Sequence, residues 1–131
     1  MSITAIEYIL LRDMAAKGVL PAKGDFIEFG EANWYGDVPL AQLHEDIRAR
    51  VADPDERERL VAETIRLDAA YDADPSSEAL FAIAKIFYAT FLDHASHTAI
   101  DFHGTATALK LDLNRPLDLG RRFDFAFNFG T

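Results

Sequence analysis

The chain has 131 residues, of which 50% are hydrophobic and 27% are charged, the balance of one globular domain. It contains no cysteine, so disulfides, cysteine metal sites and cysteine nucleophiles are excluded. Thirteen basic against 22 acidic residues give a net charge of −9, which disfavours nucleic acid and anionic membranes as partners. The sequence has neither a basic signal region nor an apolar stretch of roughly 20 residues, so we expect a cytoplasmic protein.

The first part of the chain predicts a helix, a strand and a long helical region. Ser2 is the expected cap of a helix over residues 3–17, whose apolar stripe would be Ile3, Ile6, Leu10 and Met14. Residues 24–30 form a short apolar run between glycines, which is typical of a buried strand. Residues 39–92 are predicted to be helical, with new helices starting at Asp53-Pro54 and at Asp74-Pro75.

The remaining third of the chain changes to the two-residue period of strands. We predict strands within residues 98–102, 108–113 and 123–129. The last of these alternates strictly, with four phenylalanines on one face. Four strands interspersed with helices predict an α/β fold in which helices cover a sheet.

Polar residues at the ends of these strands are the candidate site. Glu28 could orient a cationic amino group, and Gly30 would allow a tight turn and close approach of the backbone. Asp101, at the end of the second strand, could accept hydrogen bonds from two ribose hydroxyls. His103 is then expected near the edge of a cofactor. The alternatives are an ordinary turn glycine and an exposed acid at a strand end.

The order of these pieces is more specific than any one of them. A strand with an acid and glycine is followed by a strand with Asp101, by Asp112-Leu113-Asn114, and by Phe123-Asp124 with an apolar strand. This succession resembles class I S-adenosylmethionine-dependent methyltransferases over residues 25–131, most closely over 97–131. The resemblance implies a partial Rossmann-like sheet of about four strands in the order 3-2-1-4. It also implies one domain over residues 1–131, with residues 39–92 as a helical insertion between the first two strands.

The resemblance also implies roles for individual residues. Glu28 and Gly30, with the adjoining Glu31, would meet the methionine part of S-adenosylmethionine, and Asp101 would hold its ribose. The adenine would lie by Asp112 and the adjoining Leu113, and the methyl donor beside Asn128 and Gly130. The implied activity is transfer of the methyl group to an acceptor that the sequence does not identify.

Two features depart from the family pattern. Residues 32–35 are Ala-Asn-Trp-Tyr where the family usually has further glycines, and this bulk could crowd the cofactor. Residues 103–107 are too few for the usual crossover helix, so either an irregular arch or an antiparallel pairing is expected there.

Other interpretations stay open. The protein could be a noncatalytic binding or structural subunit of the same fold, which the altered glycine loop favours. An NAD-linked enzyme is a third hypothesis, weakened by the missing glycines. His94 and His97 have i, i+3 spacing but straddle a predicted helix end, so no metal site is expected.

The position of the last strand leads to a further expectation. Because the sequence stops directly after it, we expect a domain that continues beyond Thr131, the alternative being a small complete domain. In the order 3-2-1-4 this apolar strand lies at a sheet edge, where we expect self-association of the chain.

Overall fold

The computed structural model describes residues 1–129, which form a mixed α/β structure with four helices and two small parallel sheets. No helix in this part of the chain is long and apolar enough to cross a membrane. The elements in chain order are β1 (Ser2–Ile3), α1 (Ala5–Ala16), β2 (Gly24–Phe29), β3 (Asn33–Trp34), α2 (Leu40–Arg50), α3 (Pro54–Ala73), α4 (Ala79–Phe91), β4 (His94–Ile100) and β5 (Phe125–Phe127).

The larger sheet has β2 at its centre, with β4 on one side and β5 on the other, and both pairings are parallel. Opposite Phe26 of β2 lie His97 of β4 and Phe125 of β5. On the outer side of β4, Leu109 makes one parallel bridge to Ile100. The order β4-β2-β5 agrees with the 2-1-4 part of the predicted order, and a single bridge stands where the third strand was predicted.

The predicted strand over residues 108–113 was wrong beyond that bridge. Leu109 donates its N–H to the Ala99 carbonyl at 2.8 Å, and its own carbonyl accepts from Asp101 N at 3.1 Å. Three residues further on, the Asp112 carboxylate accepts from Asn114 N at 2.9 Å, which turns the chain. Side-chain bonds of this kind compete with a strand ladder. Because the bridge is parallel, the short link before it is an irregular arch (the arch, residues 101–109).

The first helix forms where expected, but its buried face was predicted wrongly. It starts after Thr4, because Ser2–Ile3 is taken up by pairing with β3, and a capping box joins Thr4 to Glu7. Ile6 is 76% exposed and Leu10 is 49% exposed, whereas Tyr8 and Leu11 are buried. The reason is Tyr8, whose large ring packs on Phe87, Phe91 and Trp34 and so sets the rotation of the helix.

The helices between β2 and β4 agree with the predicted helical region, except for one start signal. Asp53 caps α3 by accepting from Asp55 N, and Pro54 occupies the first helical position, as predicted. Asp74 instead ends α3, since its carboxylate accepts from both the N–H and the hydroxyl of Ser76. The last helix, α4, therefore begins only at Ala79.

Helix α4 is the element on which the core is built. Its Ile83, Ala84 and Phe87 have no exposed surface. Tyr88 packs edge-on against Phe26 of β2, with ring centroids 5.4 Å apart. Full burial of a large apolar side chain stabilises a fold by about 1.5–3 kcal/mol. This packing fixes α4 over one face of β2 and β4, where the polar side chains described below lie.

The apolar strand β5 lies at an edge of the larger sheet. Among residues 1–129 it pairs only with β2, over Phe26–Glu28. Phe127 is buried and Phe125 is half-buried, while Ala126 and Asn128 between and beyond them are exposed, as the alternation predicted. A strand of this composition with a free edge is a template for pairing with another chain.

We predict that the 131-residue chain self-associates through β5 and that Ala126→Lys reduces this association. Lysine at an exposed position of an edge strand disfavours pairing, because its charge would be brought against another strand. Size-exclusion chromatography with light scattering over a range of concentrations measures the effect. Ala69→Lys, on the exposed surface of α3, is the control. A wild-type chain that stays monomeric at every concentration contradicts the prediction.

Candidate functional site

The carboxyl ends of β2 and β4 meet, and they bring three of the predicted site residues together, namely Gly30, Glu31 and Asp101. Gly30 donates its N–H to the Ile100 carbonyl at 2.7 Å, and Glu31 donates its N–H to Oδ2 of Asp101 at 2.9 Å. Gly30 has a φ of +83°, in the left-handed region that side chains rarely adopt. The glycine is therefore required for the turn that brings the backbone of residues 30–31 against Asp101.

The carboxylate of Asp101 is half-buried and is only partly used by the protein. Its Oδ2 accepts from Glu31 N, and its Oδ1 accepts from His103 N at 2.8 Å. A carboxylate has about four acceptor positions, so two backbone donors leave it able to accept further hydrogen bonds. The imidazole of His103 packs edge-on against the ring of Phe102. Both side chains are exposed, and they follow Asp101 directly in the arch.

Glu28 is completely buried, although the sequence placed it near a cofactor amino group. Its Oε1 accepts from Ala32 N at 2.7 Å and from the Tyr88 hydroxyl at 2.9 Å, and its Oε2 lies 2.6 Å from Nε2 of His97. Burial and the neighbouring Glu28 carboxylate raise the pKa of Tyr88, which keeps its hydroxyl protonated as a donor. Glu28 therefore joins β2 to α4, to β4 and to the start of β3.

Glu31 is also buried, and it holds the arch. Its Oε2 accepts from Thr105 N at 2.6 Å, and its Oε1 accepts from the Thr105 hydroxyl at 2.9 Å. Lys85 of α4 places Nζ 3.3 Å from the same Oε1. A Cβ atom at Gly104 would lie 2.5 Å from Oε2 of Glu31, so only glycine permits this approach. The carboxylate thus fixes the arch to α4 and to the turn after β2.

The bulky residues after Gly30 do not form an open loop. Ala32 and Trp34 are buried, and the Trp34 ring packs edge-on against Tyr8 at 6.0 Å. Asn33 accepts a 2.6 Å hydrogen bond from the Ser2 hydroxyl, where β3 pairs with β1. Tyr35 is 65% exposed. The side chains of Ala32 and Trp34 therefore belong to the core rather than to the surface beside Gly30.

Two of the other predicted site residues lie away from this contact network. Asp112 and Leu113 are exposed, and the contacts of the Asp112 carboxylate are local ones to Asn114 and to Arg115 at 3.4 Å. Asn128 is exposed immediately after β5, and the parallel pairing of Phe127 with Glu28 places it at the same end of the sheet as Gly30. Gly130 lies outside the described residues. The structure thus groups Glu28, Gly30, Glu31 and Asp101 at the carboxyl edge of the sheet.

Sequence reasoning missed the partners of the two buried acids. Lys85, as the only charged residue of α4, was a signal that its amino group meets a buried acid. His94 and His97 do not straddle a helix end, because both lie on β4. The His97 ring stacks on Phe26, with centroids 4.2 Å apart. Within residues 1–129 no three side chains are grouped so that they could hold a metal ion.

We predict that Glu28→Ala lowers the free energy of unfolding by at least about 1–3 kcal/mol, the cost of leaving one buried polar group without its hydrogen-bond partner. The variant leaves Ala32 N, the Tyr88 hydroxyl and His97 without their acceptor. Urea denaturation measures the change. Glu45→Ala, on the exposed side of α2, is the control and is expected to stay within about 0.5 kcal/mol of wild type. Equal stability of the two variants contradicts the structural role of Glu28.

The raised pKa of Tyr88 leads us to predict that the protein loses stability at alkaline pH. Because its pKa is raised in the folded state, its contribution is complete below the unfolded-state pKa of about 10 and is lost as pH rises above it. One such group lowers the free energy of unfolding by up to about 1.4 kcal/mol per pH unit. Tyr88→Phe should flatten this decline in urea titrations at alkaline pH. Tyr35→Phe, which removes an exposed phenol, is the control, and an unchanged slope for Tyr88→Phe overturns the prediction.

No protein-family model matches the chain, and no curated protein and no solved structure matches it. What the protein binds is therefore inferred from its strand order and from the side chains at the carboxyl edge of its larger sheet.

Proposed function

We propose that the carboxyl edge of the larger sheet binds S-adenosylmethionine and that the protein transfers the methyl group of this cofactor. The observation that carries the proposal is the meeting of Gly30 and Asp101 at the ends of two adjacent parallel strands. Strand β4 and the Leu109 bridge beyond it lie on one side of β2. Strand β5, which comes later in the chain, lies on the other side of β2. In open parallel sheets, ligands bind where the strand order reverses in this way. We infer that the sheet is part of a Rossmann-like fold.

Asp101 is the residue that would hold the ribose. Two of its acceptor positions are occupied by backbone N–H groups, which fix the orientation of the carboxylate. The remaining positions can accept from two ribose hydroxyls, since an ionised carboxylate only accepts hydrogen bonds. Gly30 itself has no side chain, so a cofactor held by this carboxylate could approach the backbone of the turn closely.

In this proposal Glu28 and Glu31 act as positioning residues. Both carboxylates are buried and satisfied by protein donors, so they hold the turn and the arch rather than contact the cofactor. Asp112 and Leu113 would lie by the adenine, and Asn128 with Gly130 by the methyl donor, as the resemblance to methyltransferases implies. The sulfonium of the cofactor is already a good methyl donor, so positioning of the acceptor would supply most of the rate.

The carboxylates of Glu28 and Glu31 form their hydrogen bonds with groups of the protein itself, and this also favours a second candidate function. A noncatalytic subunit of the same fold would need these acids only for its own stability, and both are less than 2% exposed here. Such a protein would bind no cofactor at the carboxyl edge. Binding of S-adenosylmethionine therefore separates the two candidates.

We predict that S-adenosylmethionine at 100 times its dissociation constant stabilises the protein by about 2.7 kcal/mol, because it binds only the folded state. Thermal denaturation with S-adenosylmethionine, S-adenosylhomocysteine and NAD measures this effect. Stabilisation by the first two ligands supports the proposal, and stabilisation by NAD alone would indicate an NAD-linked protein. No stabilisation by any of them supports the noncatalytic subunit.

The role of Asp101 is tested by comparing adenosine with 2′,3′-dideoxyadenosine in calorimetric titrations. The wild-type protein should prefer adenosine by about 1.5–3 kcal/mol, the value of hydrogen bonds to a charged group. Asp101→Ala should abolish this preference. The comparison within one variant is insensitive to the loss of the two loop hydrogen bonds of Asp101. Asp68→Ala, on the exposed surface of α3, should keep the preference. A preference that survives in Asp101→Ala removes the ribose assignment.

A further inference from the structure

A cleft of about 420 Å³ lies between helices α1 and α2, and residues 37–39, which lead into α2, complete its lining. The side chains that line it from the two helices are Tyr8, Ile9 and Arg12 of α1 and Ala41, Gln42 and Glu45 of α2. Helical positions three and four apart are neighbours, so each helix turns one side toward the cleft. The volume lies in the range of about 300–1,000 Å³ that is typical of ligand pockets.

At one end of the cleft, Arg12 is held by a buried carboxylate. Its Nε lies 3.3 Å from Oδ1 of Asp46, whose side chain is 7% exposed. Oδ2 of Asp46 accepts from the Tyr8 hydroxyl and, at 3.3 Å, from Nε2 of Gln42. A guanidinium has five N–H donors in a planar fork, so a contact through Nε leaves the donors of the two terminal nitrogens for a carboxylate. Arg12 is therefore an oriented cation at this end of the cleft.

At the other end, Asp37 is held by the start of α1. Its Oδ2 accepts at 3.0 Å from the N–H of Ala5, the first residue of the helix, and this leaves Oδ1 as an acceptor. Within residues 1–129 no lysine or arginine side chain is paired with Asp37. Ala5 and Arg12 are about 10 Å apart along the axis of α1. The Asp37 carboxylate and the Arg12 guanidinium therefore lie toward opposite ends of the cleft.

We propose that this cleft binds an ω-amino acid, a small zwitterion whose ammonium and carboxylate groups are separated by several methylene groups. The carboxylate binds Arg12, the ammonium binds Asp37, and the methylene chain packs on Ile9, Val38 and Pro39. Opposite charges at the two ends fix the direction in which the ligand lies. None of the residues assigned to S-adenosylmethionine lines this cleft, so the inference is independent of the proposed function.

The probe is 5-aminopentanoate, compared with pentanoate, which lacks the ammonium, and with pentylamine, which lacks the carboxylate. Nuclear magnetic resonance titration of the full chain gives the dissociation constants from the backbone amides of residues 40–45. We expect 5-aminopentanoate to bind about 3- to 5-fold more tightly than either compound, the effect of one ion pair at an exposed site. Glycine has its two charged groups on one carbon atom and cannot reach both ends, so it should bind at least about 3-fold more weakly than 5-aminopentanoate.

Variants assign each end of the ligand. Asp37→Asn keeps an acceptor for Ala5 N and should remove the advantage over pentanoate. Arg12→Gln should remove the advantage over pentylamine. The control is Glu45→Gln, which removes an exposed acid that also lines the cleft. Because Glu45 adjoins Asp46 and so lies at the Arg12 end, this variant should keep both advantages.

If Arg12→Gln does not fold, the comparison of compounds in the wild-type chain and the result for Asp37→Asn decide. The proposal is overturned if 5-aminopentanoate binds no more tightly than pentanoate, pentylamine or glycine. It is also overturned if Asp37→Asn keeps the advantage over pentanoate, or if Glu45→Gln loses it.

Discussion

The buried carboxylate of Glu28 is the interaction on which the rest of the structure depends. It accepts from the backbone after the Gly30 turn, from the Tyr88 hydroxyl of α4 and from the His97 ring of β4. A charge with no exposed surface is tolerated only when such partners replace water. Helix α4 is therefore held over the sheet by polar contacts as well as by its apolar face.

Glu31 extends this arrangement to the end of the sheet. It binds Thr105 of the arch and Lys85 of α4, while its own N–H holds Asp101. The turn after β2 and the turn after β4 are thus fixed to each other, and the Asp101 carboxylate is oriented before any ligand arrives. A preorganised acceptor of this kind lowers the entropic cost of binding. The acids that the sequence assigned to ligand contact serve here mainly to position Asp101 and His97.

Much of the fold follows from local sequence signals, and the exceptions have physical causes. The strands β2 and β5, the last three residues of β4 and the start of α3 at Asp53-Pro54 were predictable from periodicity and capping, whereas the first part of β4, from His94 to His97, was not. The buried face of α1 was not, because Ile6 and Leu10 are as apolar as the residues that are buried, and tertiary packing of Tyr8 decides the rotation. The predicted third strand does not continue beyond Leu109, because Asp112 forms a turn with Asn114. The grouping of Glu28, Gly30, Glu31 and Asp101 was predictable from strand order, whereas the partners of Glu28 come from α4 and from mid-β4, which no spacing reveals.

The most direct test of the account is an amide chemical-shift map of the protein titrated with S-adenosylhomocysteine. Because Gly30, Glu31 and His103 have backbone N–H groups at the carboxyl edge beside Asp101, the account predicts the largest shifts at these residues. The amides on the exposed surface of α3, such as that of Asp68, should change little. A saturable response centred elsewhere in the protein, or no response at the carboxyl edge, would contradict the placement of the cofactor site.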